Sequence, residues 1–210
     1  VNTEISKEKL DWFDSLVLSS GNHADIERGA CIMESVAYLA GEPHSDAPKC
    51  ASKVISRFLI TINDRWDDKR RQKLKPYAVK IIGTAANENI ELKRAYLCAD
   101  WAVRECAPMA LDAAGLGEWA TRLRNHLPVL NRASADSAKT LAREARSAAA
   151  AAAYAASYAA YAADAAAYAD ADAASYAAYA AANARGCKIN LDALDASVMS
   201  LLDRLIAVKK

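Results

Sequence analysis

From Asn131 to Arg185 the chain contains neither glycine nor proline, and from Ser147 it reads SAAAAAAYAASYAAYAADAAAYADADAASYAAYAAANARG, ending at Gly186. Alanine has the highest intrinsic helix propensity and almost no side-chain bulk, so this run admits little besides helix. A single straight helix over 131–185 would be roughly 80 Å long, far beyond an ordinary globular helix. A break is therefore expected near Asp170–Asp172, where either aspartate can cap a second segment.

Projected at about 100° per residue on one axis, Tyr154, Tyr158, Tyr161, Tyr168, Tyr176 and Tyr179 fall within roughly 80° of one another. The other sides are alanine, and a helix that is apolar all round belongs in an interior. The tract is expected to be the central post of a bundle, with tyrosines filling wider gaps and sending hydroxyls to water. Continued backwards, the projection brings Arg132, Lys139, Arg143 and Arg146 onto or near the tyrosine side. Arg143, Arg146 and the six tyrosines are thus a candidate interface, for a protein partner or for a nucleotide whose base stacks and whose phosphates pair. Asp164 and Asp172, close to the stripe, oppose phosphate and favour a polar or cationic partner.

The rest of the chain is also helical in pattern. Glycines number 7 and prolines 5, and no window alternates as a strand would. A first helix is expected over Ser6 to Leu18, and a second from the Asn22 to Asp25 capping pair to a left-handed stop at Gly41. A third should run from Pro48 to Trp66, started by Ser45 or Asp46. A short helix follows from Pro76 to Gly83, a longer one is stopped by Pro108, and two short pieces flank Gly115 and Gly117. A final amphipathic helix over 190–208 is capped by Asn190 and buries Leu191, Leu194, Val198, Leu201 and Leu205. The fold class is therefore all-α: a multi-helix bundle in a single domain over 1–210, with shorter helices over 1–130 and a long alanine-rich central helix over 131–185.

Charge excludes more than it suggests. Lysine and arginine (27) nearly balance aspartate and glutamate (26), and a net charge of +1 provides no overall field toward nucleic acid or a lipid surface. No segment is apolar enough to span a bilayer and no apolar signal core opens the chain. The five cysteines are scattered, with no Cys-x-x-Cys pair, so neither a disulfide framework nor a zinc knuckle is expected. These features favour a cytoplasmic protein with no cofactor.

Glycine-rich phosphate loops, His-Glu-x-x-His and Gly-x-Ser-x-Gly are missing from the sequence. Glu27 and Glu34 share a side of the expected second helix, and His44, Ser45 and Asp46 lie in the stiff loop after it. A short connection makes helices two and three antiparallel, which brings Asn63 and Asp64 to the start of helix two, near Glu27 and away from His44. His44, Asp46 and Cys50 match no metal motif, and Asp67 with Asp68 lacks the second acidic stretch that a magnesium site needs.

The segment from Glu27 to Ala85, and within it ACIMESVAYLAGEPHSDAPKC followed by ND, LKP and IGTA, resembles a family of uncharacterised helical proteins of actinobacteria and their phages. Members of that family carry tryptophan in the Gly-Glu-Pro-x-Ser-Asp loop where this chain has His44. The resemblance covers about a quarter of the chain and implies Glu34, Glu42, Ser45, Asp46, Asn63 and Asp64 as ligand-binding candidates, with no established activity. More loosely, the alanine tract resembles helices of bacterial immunity proteins. The resulting expectation is a non-enzymatic binding or accessory protein, of a phage counter-defence or immunity type, that sequesters a protein or nucleotide-like partner. Two alternatives are a small-molecule or nucleotide hydrolase using Glu34 and Asp46, and a bundle that self-associates through its alanine seams.

Overall fold

A computed structural model describes residues 5–148, 153–167, 172–184 and 187–209. The fold is all-α, with no strand among the described residues. The chain divides into two compact units, Val1–Asn87 and Glu88–Lys210.

In the first unit, α1 (Lys7–Ser15), α2 (Ile32–Ala40), α3 (Lys53–Arg65), α4 (Asp68–Arg71) and α5 (Tyr77–Ile81) surround a core that includes Leu18, Ile32, Met33, Ile55, Phe58, Ile62 and Ile81. Helices α1 and α2 are shorter than the sequence pattern suggests. Leu16 is already extended, and Lys75 Nζ donates to the carbonyls of Asp14 (3.0 Å) and Leu16 (2.8 Å), closing the end of α1. The Gln72 side chain then pairs with both the N–H and the carbonyl of Leu18, each at 2.9 Å, and so holds this stretch out of helix.

The expected capping pair of Asn22 and Asp25 is replaced by two separate devices. Asp25 caps only the 3-10 turn Ile26–Arg28, accepting from the N–H groups of Glu27 and Arg28. Gly29, at φ 124°, then breaks the helical path. The capping box belongs to Cys31 and Glu34: Glu34 N–H donates to Cys31 Sγ, and the Glu34 carboxylate accepts from Cys31 N–H. Gly41 ends α2 in the left-handed conformation, as expected.

Helix α3 starts later than Pro48 because Glu42 captures the N–H groups of Lys49 (2.6 Å) and Cys50 (2.8 Å). Its cap is Ser52, not Ser45 or Asp46. At the other end the buried guanidinium of Arg71 donates to the carbonyls of Asn63 and Trp66, each at 2.6 Å, and pairs with Asp68.

In the second unit, α6 (Glu88–Trp101), a π-helical turn (Ala102–Cys106) and α7 (Ala107–Ala113) form one uninterrupted helix of 26 residues. Pro108 does not stop it. The π turn shifts the hydrogen-bond register just before α7, and Pro108 occupies the start of the renewed helix, where its missing N–H is least costly. Next come α8 (Gly117–Arg124), α9 (Arg132–Ala148), α10 (Ala153–Ala167), α11 (Asp172–Ala184) and α12 (Leu191–Ala207).

The alanine tract is not one long helix. Tyr158 meets Tyr179 and Tyr161 meets Tyr176, so α10 and α11 run antiparallel; Lys139 pairs with Asp164, and α9 packs along α10. The chain returns upon itself because a rod would leave its alanine faces in water, whereas a folded tract buries them on each other. Helix α10 is the central element, packed against α9, α11 and α6, with Ala155, Ala156, Ala159, Ala160, Ala162, Ala163 and Ala166 all buried. A division near Asp170–Asp172 agrees with α10 ending at Ala167 and α11 starting at Asp172, while Asp170 lies outside the described residues.

Helix α12 begins after its Asn190 cap and buries Leu194, Val198, Leu201, Leu202 and Leu205, leaving Leu191 exposed. Arg94, itself buried, donates to the carbonyls of Leu205 and Val208 and fixes the end of α12. Trp101 Nε1 donates to Ser197 Oγ (2.7 Å), which donates to Glu105 (2.8 Å). None of the helices among the described residues is long and apolar enough to cross a membrane.

Ala159 has no room for a longer side chain. Ala159→Leu should lower the unfolding free energy by about 1–3 kcal/mol in urea denaturation, whereas Tyr154→Ala on the outward face should change it by no more than about 0.5 kcal/mol.

Candidate functional sites

Glu34 anchors the polar cluster of the first unit. It stands in the first turn of α2, and its carboxylate is wholly buried. Oε1 accepts from His23 N–H (2.8 Å); Oε2 accepts from Cys31 N–H (2.8 Å) and from His23 Nδ1–H (2.8 Å). His44 Nε2 lies 3.6 Å from Oε1 and donates to the His23 carbonyl at 2.8 Å. On the far side of the His23 ring, Nε2 meets Ser19 Oγ at 2.8 Å.

Burial alone would push the Glu34 carboxyl up, but the N–H groups of His23 and Cys31, and then the side chains of the same residues, stabilise the anion and hold it below its ordinary value. The Cys31 thiol beside it is pushed up to about 12, first by burial and further by the Glu34 charge. Cys31 is thus a neutral cap, not a nucleophile.

Antiparallel packing of α2 and α3 brings Asn63 to the start of α2, as the short connection implies. Its Oδ1 accepts from Ile32 N–H (3.2 Å), and its Nδ2 donates to the Ser19 carbonyl (2.9 Å) and to Asp64 (3.1 Å). Asp64 in turn accepts from Gly21 N–H (2.8 Å). Glu34, Asn63 and Asp64 therefore belong to one network, reached through the 16–31 segment.

The expectation that His44 stands apart from the start of α2 is corrected by the same segment, which carries His23 between them. Glu27 is exposed in the 3-10 turn and shares no helix with Glu34. Glu42 and Ser45 serve the loop itself, with Ser45 Oγ accepting from Ala47 N–H (3.0 Å), and Asp46 is not a partner of Glu34. His44 turns to His23 while Cys50 lies by Glu42, so the two do not converge with Asp46 as metal ligands. Ser19, His23 and Cys31 escape sequence inspection because an irregular segment has no periodicity to reveal who faces whom. Only Gly29 hints at a close approach: a Cβ there would lie 3.1 Å from both the His23 ring and Ser19 Oγ.

The second unit presents a tyrosine ladder. On α10, Tyr154, Tyr158 and Tyr161 share one face at i, i+4 and i+7; on α11, Tyr176 and Tyr179 share another at i and i+3. The rings of Tyr158 and Tyr179 stack at 5.2 Å, Tyr161 and Tyr176 lie at 5.7 Å, and Tyr158 meets Tyr161 edge-on at 6.0 Å. Tyr154 is 69% exposed and Tyr161 41%. Tyr158, Tyr161, Tyr176 and Tyr179 therefore keep company across two helices, not along one, while Tyr154 extends the α10 row outward; Tyr168 lies outside the described residues.

Helix α9 contributes the basic positions. The contact of Lys139 with Asp164 sets the register, so Arg143 and Arg146, one and two turns on, fall opposite the α10 turns that carry Tyr161 and Tyr158. Both arginines are exposed and neither has an ion-pair partner among the described residues. An open cavity of about 380 Å³ elsewhere in this unit is lined by Met109, Arg124, Lys188 and Asn190 among others, with Arg124 paired to Asp112.

No family model, curated protein or solved structure matches this chain.

Removing the Glu34 carboxylate strands two backbone N–H groups, so Glu34→Ala should cost about 3 kcal/mol or more in urea unfolding. A depressed folded value contributes stability above the unfolded value, and that contribution is lost as pH falls through the folded one. Wild-type stability should therefore decline as pH drops below 4.5, and Glu34→Gln should flatten that decline in a pH series of urea midpoints.

Proposed function

We propose that this protein is a helical binding factor whose tyrosine ladder, flanked by Arg143 and Arg146, docks an acidic surface of a partner protein and masks it. The observation that carries this reading is the exposure of Tyr154 and Tyr161 on α10, together with two exposed arginines on α9 that the Lys139–Asp164 register sets level with the tyrosine turns and that have no ion-pair partner among the described residues. Tyrosine and arginine are the residue types that dominate interface energetics, because each combines a large apolar body with a polar end. The alanine seams beneath supply a stiff support, since their methyl groups leave little to repack on binding. Asp164 is neutralised by Lys139, which leaves the local charge with the arginines.

A nucleotide is less well supported as the ligand. Tyr158 and Tyr179 already stack on each other, so this part of the ladder offers edges and hydroxyls in place of an open slot for a base. Self-association through alanine has little to favour it, because the seams of α9, α10 and α11 are filled within the chain. The accessory, immunity-type role in a host-phage contest rests on the resemblance of Glu27 to Ala85, and the cytoplasmic location on the scattered cysteines.

The test is affinity capture with wild-type protein beside Arg143→Glu/Arg146→Glu and Tyr154→Ala/Tyr161→Ala double variants. An acidic protein retained by wild type should bind each variant at least about tenfold more weakly and dissociate faster as salt rises. Equal retention by all three proteins, or loss to competing nucleoside triphosphate, removes the reading.

A further inference from the structure

Within the first unit, Ser19, His23 and Glu34 stand in a line of hydrogen bonds: Ser19 Oγ to His23 Nε2 at 2.8 Å, and His23 Nδ1 to Glu34 Oε2 at 2.8 Å. We propose that this line is a nucleophile relay, with Ser19 as the attacking hydroxyl, His23 as its base and Glu34 as the group that orients the imidazole, acting on activated carboxylic esters of small acids. Nucleophile, base and orienting group within hydrogen-bond reach of one another are the recurring geometry of such relays on unrelated folds.

The roles follow from the atoms. Glu34 is an anion with its two oxygens held by backbone N–H groups, so Nδ1 of His23 must carry the proton it shares with Oε2. In the neutral imidazole, Nε2 then has its lone pair facing the Ser19 hydroxyl. A mere brace for the 16–31 segment is already provided by the bonds from the N–H groups of His23 and Cys31 to Glu34. The link from the imidazole to Ser19 satisfies no deeply buried group, since Ser19 is only half-buried and the His23 side chain is 13% exposed.

The nucleophile is held at both of its backbone groups. Ser19 N–H donates to the Ala30 carbonyl (3.1 Å), and the Ser19 carbonyl accepts from Asn63 Nδ2 (2.9 Å). The glycine at 29 keeps the space against the ring and the hydroxyl clear of a Cβ. Ser20, next in the chain, is exposed, and its N–H takes no part in the hydrogen bonds of the described residues, which makes it the available donor for a developing oxyanion.

In the reaction, Ser19 Oγ forms a bond to the acyl carbon while its proton passes to His23 Nε2. Collapse breaks the bond to the leaving alkoxide, which takes that proton and departs as the alcohol. Water then gives a proton to His23 and attacks the acyl-serine ester; the proton returns to Ser19 Oγ as the free acid leaves. Ester and water are consumed, acid and alcohol are formed, and the relay is restored.

The experiment treats the full chain with a fluorophosphonate, in which Ser Oγ displaces fluoride at phosphorus, and maps the adduct by peptide mass spectrometry. Ser19 should react at least about 100-fold faster than Ser20, its more exposed neighbour, and His23→Gln should bring Ser19 down to the rate of Ser20 with the circular dichroism unchanged. Equal labelling of Ser19 and Ser20, no adduct at Ser19, or undiminished labelling in folded His23→Gln protein overturns the relay. Where His23→Gln does not fold, the ratio of Ser19 to Ser20 in wild type decides alone. Neither serine belongs to the tyrosine ladder, so this result is independent of partner binding.

Discussion

Methyl groups can stabilise a helix pair only by proximity. An alanine buries little apolar surface, so a seam of alanines gains its energy from many dispersion contacts at short range, and a gap of about 0.5–1 Å between the helices forfeits roughly a quarter to a half of each. The second unit is organised around that requirement. Helix α10 accepts α9, α11 and α6 at close quarters through its alanine faces, and its tyrosines gather along one edge, where Tyr158 and Tyr161 meet Tyr179 and Tyr176 of α11. The ladder of rings is in this sense a by-product of the seam: bulk excluded from the alanine faces collects along the edge that α10 and α11 share.

The first unit solves a different problem. Its longest irregular stretch, 16–31, lies over α2 and α3 with few apolar anchors besides Leu18, and it is held by polar groups instead: Gln72 and Lys75 at its start, Asn63 and Asp64 in the middle, Glu34 at its end. Each of these side chains takes backbone groups that regular secondary structure would otherwise pair. Glu34 is the most committed of them. Its negative charge inside the protein is tolerable because three N–H donors converge on it, and the same convergence fixes the imidazole of His23 in place.

Periodicity made the all-helical class, the final helix with its Asn190 cap, the stop at Gly41 and the approach of Asn63 to the start of α2 legible in the sequence. It misplaced the starts of α2 and α3, because the deciding groups, Glu42 over Lys49 and Cys50 and the Cys31 cap before Glu34, act from a distance or through an unusual capping residue. Pro108 misled for a related reason: a π turn is set by tertiary packing and leaves no local signature. The helical character of the alanine tract and its division near Asp172 are legible in the sequence, but the reversal of α11 against α10 is not, since a projection onto one axis says nothing about where that axis turns back. Glu34, Asn63 and Asp64 of the candidate polar network stand out in the sequence, whereas Ser19 and His23 do not, because contacts made by a loop have no spacing rule.

The smallness of the seam residues also shapes how the second unit responds to temperature. The heat capacity change of unfolding scales with the apolar area newly exposed to water, and an alanine exposes far less than a leucine. Seams assembled from methyl groups therefore flatten the stability curve, so that the balance between folded and unfolded forms shifts more slowly with warming or cooling than in a core of large side chains alone. The seams of α9, α10 and α11 should therefore contribute less to the curvature of stability with temperature than the leucine-rich packing of α12 in the same unit.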